Sequence, residues 1–246
     1  KLSLSYGDKL AFYDVSLKLN QGCVTGIIGP SGCGKSSFVQ CLNRMTEMID
    51  DVSIKGDIFL DEKSIFDSRV ELMGLRKKVG IVFQEPTPLP ISIASNIELP
   101  LKEHGHTNIN EKVEEVLKDV GLWDEVKDKL RSPANNLSGG QKQRLCLART
   151  LALDPEVILM DEPCSSLDPV STEKIESLID KLRGKYTILI VTHNLAQARR
   201  VCDHVHAFWF NANLGCGEII ESGTCVQVFE SPQTSTVKEY IGGFKG

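Results

Sequence analysis

Residues 26–45 read GIIGPSGCGKSSFVQCLNRM, and this stretch decides the fold class. The apolar run CVTGIIG at 23–29 reads as a buried strand, and SSFVQCLNRM at 36–45 reads as a helix. Between them Gly29, Gly34, Lys35 and Ser36 occupy the fixed positions of G-x-x-x-x-G-K-[ST]. Glycines at these places let the backbone curl, so that successive N–H groups and the helix N-terminus point at phosphate oxygens. Lys35 then places a positive charge on the β and γ phosphates of a nucleotide, and the Ser36 hydroxyl is a ligand for Mg²⁺. The four fixed positions match by chance in roughly one chain of this length in a hundred, and here the flanking strand and helix are also right.

Working outward, four more apolar runs read as strands: VGIVF at 79–83, VILMD at 157–161, TILIVT at 187–192 and VHAFWF at 205–210. They are continuously apolar, which suits a parallel sheet covered by helices on both faces. LSLSY at 2–6, AFYDVSLKLN at 11–20 and VSIKGDIFLD at 52–61 alternate instead, so an antiparallel β patch is expected beside the parallel core. From Pro86 to Ala134 the strand signals vanish. The turn-like TPLP at 87–90 precedes EKVEEVLKDVGLW at 111–123, which has helical periodicity, and SPANN at 132–136 marks a loop. The expectation is one α/β domain over 1–246, with 1–85 and 135–246 forming the β patch and a P-loop NTPase core and 86–134 a helical subdomain.

Composition narrows the function classes. The chain has 246 residues, enough for one large α/β domain, with 28 basic against 33 acidic side chains and a net charge of −5. No broad basic face favours nucleic acid. No apolar run reaches the roughly 20 residues that cross a bilayer, and the leading KLSLSYGDKL lacks the apolar segment of a signal peptide. A soluble cytoplasmic chain, tethered only by partners, is the expectation, with its natural start upstream of Lys1. The eight cysteines are scattered, with no C-x-x-C pair, and read as reduced and mostly buried. His104 and His106 read as solvated loop residues, and His204 and His206 as structural neighbours on one strand face.

A second constellation supports the first. VILMDEP delivers Asp161 and Glu162 at the C-terminal end of a strand, where the ligands of parallel sheets collect. Asp161 suits a Mg²⁺ ligand and Glu162 a general base that polarises the attacking water. At 137–150, LSGGQKQRLCLART places Ser138 as N-cap of a helix, so Ser138, Gly139 and Gly140 form a second anion-binding N-terminus. With this stretch, Leu137 to Gln141 leading it, the chain resembles the ABC ATPases from end to end. The resemblance extends to Gln84 in VGIVFQ, Asp168 in SSLDP, His193 in VTHN, and Tyr6 as the adenine-stacking aromatic, all in family order.

For this sequence the resemblance implies an ATPase that uses ATP and Mg²⁺. The loop Gly29, Pro30, Ser31, Gly32, Cys33, Gly34, Lys35, Ser36 and Ser37 would hold the phosphates, with Ser36, Gln84 and Asp161 around the metal and Glu162, His193 and Gln84 catalytic. It also implies a head-to-tail homodimer, in which each 137–141 signature closes over the ATP held by the other subunit, with Asp168 in the loop between. Bland readings compete at single positions: His193 as an ordinary strand-end histidine, Gln84 as a loop amide, Tyr6 as a core aromatic.

The likeness is nearest to the ATPase subunits of bacterial Pst-type phosphate importers. It rests on GPSGCGKSSFVQCLNRM, LWDEVKDKL at 122–130, residues 137–179, YTILIVTHNLAQARRVCDH at 186–204 and FESP at 229–232. That likeness implies two membrane permease subunits, an extracytoplasmic phosphate-binding protein, no nucleic acid, and a peripheral position on the cytoplasmic face of the membrane. Three departures stand out. Thr87, Pro88, Leu89 and Pro90 replace the usual Asn-Pro-Phe-Pro, Cys164 replaces a threonine, and FNANLGCGEIIESG at 210–223 is longer than usual and suits an extended surface hairpin. An importer for another solute, such as phosphonate or a polar amino acid, is the alternative. A DNA-maintenance ATPase would need a coiled-coil or zinc insertion, whereas only about 100 residues without heptads separate loop from signature. A translation factor of the ABC type would need a second P-loop, and a scaffold would not need the full set of Lys35, Asp161, Glu162 and His193.

Overall fold

The computed structural model describes residues 1–243. Its strands are β1 (Leu2–Tyr6), β2 (Lys9–Val15), β3 (Val24–Ile28), β4 (Val52–Lys55), β5 (Phe59–Leu60), β6 (Lys63–Ser64), β7 (Val79–Val82), β8 (Val157–Asp161), β9 (Thr187–Thr192), β10 (His204–Asn211) and β11 (Cys216–Thr224). Its helices are α1 (Lys35–Cys41), α2 (Leu72–Lys78), α3 (Ser95–Glu103), α4 (Ile109–Asp119), α5 (Trp123–Val126), α6 (Gly139–Leu151), α7 (Pro169–Leu182), α8 (Leu195–Val201), α9 (Cys225–Glu230) and α10 (Ser235–Ile241). Nine strands form one sheet in the order β4-β1-β2-β11-β10-β3-β9-β8-β7, and β5 and β6 form a separate hairpin.

Strands β10, β3, β9, β8 and β7 run parallel, which is the α/β core of a P-loop NTPase. Their side chains alternate between two hydrophobic cores. Val24, Ile28, Ile158, Met160, Ile188 and Ile190 face one core, while Ile27, Leu159, Leu189 and Val191 face the other. Because both faces are covered, each strand must be apolar at successive positions, and that is why these runs show no alternation. The β patch is antiparallel at β1–β2 and β1–β4, and it joins the core sheet through a parallel pairing of Gly217 with Phe12. Residues 210–223 form the turn and much of the β10–β11 hairpin.

Within 86–134 the described elements are α3, α4, α5 and short 3₁₀ turns, with one isolated bridge between Ser92 and Pro133. Residues 111–123, which show helical periodicity, are helical in two pieces: α4 ends at Asp119 and α5 begins at Trp123. Gly121 lies between them at φ 61, a left-handed conformation that ends the first helix and turns the chain. All eight cysteines are free thiols, six of them buried. His206 is buried and its Nδ1 pairs with the Ser222 hydroxyl at 2.7 Å, so burial lowers its pKa to about 4 and it stays neutral.

Candidate active site

The phosphate loop leaves the C-terminal end of β3 and enters α1 at Lys35. Two glycines make its path possible. Gly29 has φ 152, and a Cβ there would lie 2.0 Å from the Phe208 carbonyl; Gly34 caps α1 at φ 102, with the Ala11 carbonyl 2.8 Å from where its Cβ would stand. No other residue fits either place without moving backbone. The loop thus rests on β10 and β2, and within its Pro30, Ser31, Gly32 and Cys33 the Cys33 thiol donates to the Pro30 carbonyl at 3.1 Å. Lys35 is buried, and its ammonium is held by the Gly29 carbonyl at 2.9 Å and the Pro30 carbonyl at 2.7 Å. Ser36 and Ser37 follow in the first turn of α1.

At the end of β8, Asp161 lies within electrostatic reach of the Ser36 hydroxyl, which favours its charged form. Its Oδ1 is buried and has no hydrogen-bond partner in the protein. Burial raises its carboxyl above the ordinary Asp value, and the Glu162 charge adds to this, while Ser36 and Lys35 oppose it. An orphaned, desolvated carboxylate oxygen beside a serine hydroxyl fits a hard divalent cation such as Mg²⁺.

Glu162 is next. Its backbone is left-handed, φ 46, an unfavourable conformation for a residue with a Cβ, and its N–H still bonds the Val191 carbonyl at 2.8 Å. That geometry turns its side chain toward the ends of the neighbouring strands. There His193 Nδ1 lies 2.8 Å from Glu162 Oε2, and Gln84 Nε2 donates to the same oxygen at 3.4 Å. Glu162, His193 and Gln84 lie just past the ends of β8, β9 and β7, brought together by the parallel order of these strands. Leu167 and Pro169, on either side of Asp168, share a cavity of about 600 Å³ with His193. Asp168 caps α7, accepting from the Ser171 N–H at 3.0 Å and the Ser171 hydroxyl at 2.6 Å, and these bonds lower its pKa.

The 137–141 stretch is elsewhere. Leu137 is buried, whereas Ser138 and Gly139 are exposed. Ser138 and Gln141 form a reciprocal capping box at the start of α6. Helix α6 packs on β7, three strand positions along the sheet from the β3 that leads into the 29–37 loop. Tyr6, half-buried at the end of β1, pairs with Lys9, two residues along β2 from the Ala11 that touches the phosphate loop.

Glu125 has no signal in the sequence that ties it to this site. From α5 it accepts Gln141 Nε2 at 2.8 Å and Arg144 at 2.9 Å, and so anchors the exposed start of α6 to the helical segment. Burial pushes its carboxyl up, but the bonds from Gln141 and Arg144 and the charges of Arg144 and Lys174 outweigh this and leave it below the ordinary value. Beside this segment Thr87, Pro88, Leu89 and Pro90 line an open cavity of about 570 Å³ with Leu99 and Arg149. Among the described residues no helix is long and apolar enough to cross a membrane.

Residues 12–165 match the family model described as ABC transporter. A curated relative, phosphate import ATP-binding protein PstB 1 of Nitrosococcus oceani, is 49% identical over 248 aligned positions, covering 100% of this chain and 89% of the relative. Among solved structures, cbiO1 from Clostridium perfringens, part of the ABC transporter complex cbiONQ, superposes with a TM-score of 0.75 at 27% identity, covering 94% of this chain and 90% of that one. The ATP-binding cassette MJ0796, in a dimeric post-hydrolysis state bound to ADP and Pi, superposes with a TM-score of 0.72 at 29% identity, covering 92% of this chain and 99% of that one.

Proposed function

The chain belongs to the ABC transporter family, and from that premise we propose that it is the ATP-hydrolysing motor of an importer for inorganic phosphate. One observation carries the motor: Gln84, Glu162 and His193 converge at the strand ends beside the Ser36–Asp161 pair and the phosphate loop. The full-length likeness to a phosphate import ATP-binding protein supports the solute.

In this reading the loop from Gly29 to Ser37 wraps the phosphates of ATP, with its N–H groups and the α1 N-terminus facing their oxygens. The Lys35 ammonium moves from the Gly29 and Pro30 carbonyls onto the β and γ phosphates, and Tyr6 stacks on the adenine. Ser36, Asp161 and Gln84 would hold Mg²⁺, which would supply positive charge to the phosphates. A water aligned by Gln84 and Glu162 attacks the γ phosphorus. Its proton passes to the Glu162 carboxylate as the new P–O bond forms, and the bond from the γ phosphorus to the β–γ bridging oxygen breaks, releasing ADP. His193 holds Glu162 in register and contacts the γ-phosphate.

The second anion-binding N-terminus, Ser138 to Gln141, is too far along the sheet to serve the same phosphate. It closes instead over ATP held by a second copy, with Asp168 in the seam. Two such sites form in a head-to-tail dimer, and ATP binding, hydrolysis and release close and reopen it. Two permease subunits dock at the cavity lined by residues 87–90, Leu99 and Arg149, which places the chain on the cytoplasmic face of the membrane. A binding protein outside the membrane delivers phosphate, and the ion itself never touches this chain.

Uptake of labelled phosphate at micromolar concentration, compared between cells carrying the native chain and Lys35→Ala at equal level, tests the whole reading. Saturable uptake is expected to disappear in the mutant. Uptake that persists while the purified native chain hydrolyses ATP would leave the motor and remove phosphate.

Asp161→Asn separates metal binding from folding. A carboxyl whose folded pKa is raised opposes folding above its unfolded pKa, so the neutral amide is expected to raise the melting temperature of the ligand-free chain, by about 2–4 °C per kcal/mol relieved. The extra stabilisation that Mg²⁺ adds to ATP should vanish in the same variant. In the native chain that increment should fade as pH falls, starting at a higher pH than for an ordinary aspartate, since protonation removes the ligand. Thermal melts with ATP, with and without Mg²⁺, read both effects. A variant that keeps the Mg²⁺ increment would take Asp161 out of the metal site.

A further inference from the structure

Glu125 sits where three helices meet. From α5 its carboxylate accepts Gln141 Nε2 of α6 at 2.8 Å, the Arg144 guanidinium three residues further along α6 at 2.9 and 3.1 Å, and the Lys174 ammonium of α7 at 3.5 Å. Arg144 is buried and also donates to the Gly121 carbonyl in the turn before α5, so α5 cannot leave α6 without stranding a buried cation. The Gln141 side chain is used on both sides. Its Nε2 faces Glu125, while its Oε1 accepts the Ser138 N–H at 3.0 Å and the Gln141 N–H donates to the Ser138 hydroxyl at 3.3 Å. A carboxylate that takes the amide N–H therefore fixes which end of the amide is left for Ser138.

The start of α6 is fitted to the start of α7 as well. Gly140 is buried against Ser171, whose hydroxyl would lie 2.5 Å from a Cβ at that position, and a Cβ on Gly139 would meet Leu167 at 3.7 Å. Ser171 in turn donates to Asp168 through its N–H and its hydroxyl. The exposed Ser138 and Gly139 and the turn that carries Asp168 are thus packed as one block, and Glu125 joins that block to the helical segment.

We propose that Glu125 is a positioning residue for closure on the second copy: it holds the Gln141 amide, and with it the Ser138 cap, in the arrangement that receives ATP bound by the other chain. The inference rests on the head-to-tail pairing under the proposed function. It makes a residue of the helical segment set how readily two copies close.

Glu125→Ala removes the acceptor and leaves the phosphate loop untouched. The full chain carrying it is expected to bind a fluorescent ATP analogue within about twofold of native. Its ATP hydrolysis should fall about tenfold at a concentration where native copies pair, because a smaller fraction of chains presents a signature ready to close, and a hydrogen bond to a charged group changes such a fraction by roughly that factor. Such a lesion lies on the signature side alone. Mixed with Lys35→Ala it should return turnover to about a quarter of native, since one interface of the mixed dimer is whole, whereas mixed with Ser138→Arg it should gain nothing, since the two lesions then fall at different interfaces. A merely structural fault would weaken both faces of its chain, and neither mixture would recover. Glu125→Ala also strands the buried Arg144, so its melting temperature should fall; Glu125→Ala with Arg144→Met removes both charges and should regain stability while keeping the turnover loss and the repair by Lys35→Ala. Native turnover in Glu125→Ala overturns the proposal, as does turnover that returns together with the melting temperature in the double variant, or a mixture with Lys35→Ala that stays inactive while Lys35→Ala and Ser138→Arg repair each other. If those two also fail to repair each other, the head-to-tail reading falls and takes this inference with it.

Discussion

Glu162→Gln is expected to keep ATP bound and lower its turnover by about 10²–10⁴-fold, the range that a positioned general base contributes. The amide has the same shape, can occupy the same left-handed turn, and still offers an oxygen to His193 and Gln84. It cannot take a proton from water. Since binding is retained and chemistry is lost, two copies should remain closed on two ATP molecules, which light scattering would detect as an ATP-dependent dimer that persists where the native dimer reopens. Turnover within tenfold of native would remove Glu162 from the base role and shift attention to His193, whose Nδ1 shares the same oxygen.

Much of this site was legible because its parts are local. The phosphate loop is a turn whose glycines and lysine must fall within eight residues, so spacing alone specifies it. The core strands were legible for a related reason: a strand buried on both faces is apolar at every position, and TILIVT over 187–192 is buried throughout. The limits are equally physical. A helical period reports which face is apolar but not the left-handed turn of the backbone at Gly121 that separates α4 from α5. Glu125 and Arg144 lie nineteen residues apart, and nothing in either segment marks the other as its partner. The convergence of Gln84, Glu162 and His193 is a product of strand order, which single-strand patterns do not contain.

The separation of loop and signature along the sheet leads to the last expected result. Lys35→Ala should abolish nucleotide binding by the chain that carries it, because it removes the buried cation of the loop. Ser138→Arg should leave that binding intact, since Ser138 is exposed at the start of α6 and away from β3, yet it should abolish turnover by blocking the N-terminus that closes on the other copy. Losing the cap costs about 1 kcal/mol, too little to unfold a domain of this size. Each variant alone is therefore expected to be inactive. In a mixed dimer of one with the other, both lesions fall at a single interface, and the second interface joins an intact loop to an intact signature. Equal mixing makes about half of the dimers mixed, so turnover should return to about a quarter of the native value if the two sites act independently. The measurement is steady-state ATP hydrolysis by each purified variant and by their mixture, at a concentration where the native chain pairs. A mixture as inactive as its components would argue against a site shared between two chains, whereas recovery has no explanation in a chain that completes its own site, because neither variant could then repair the other.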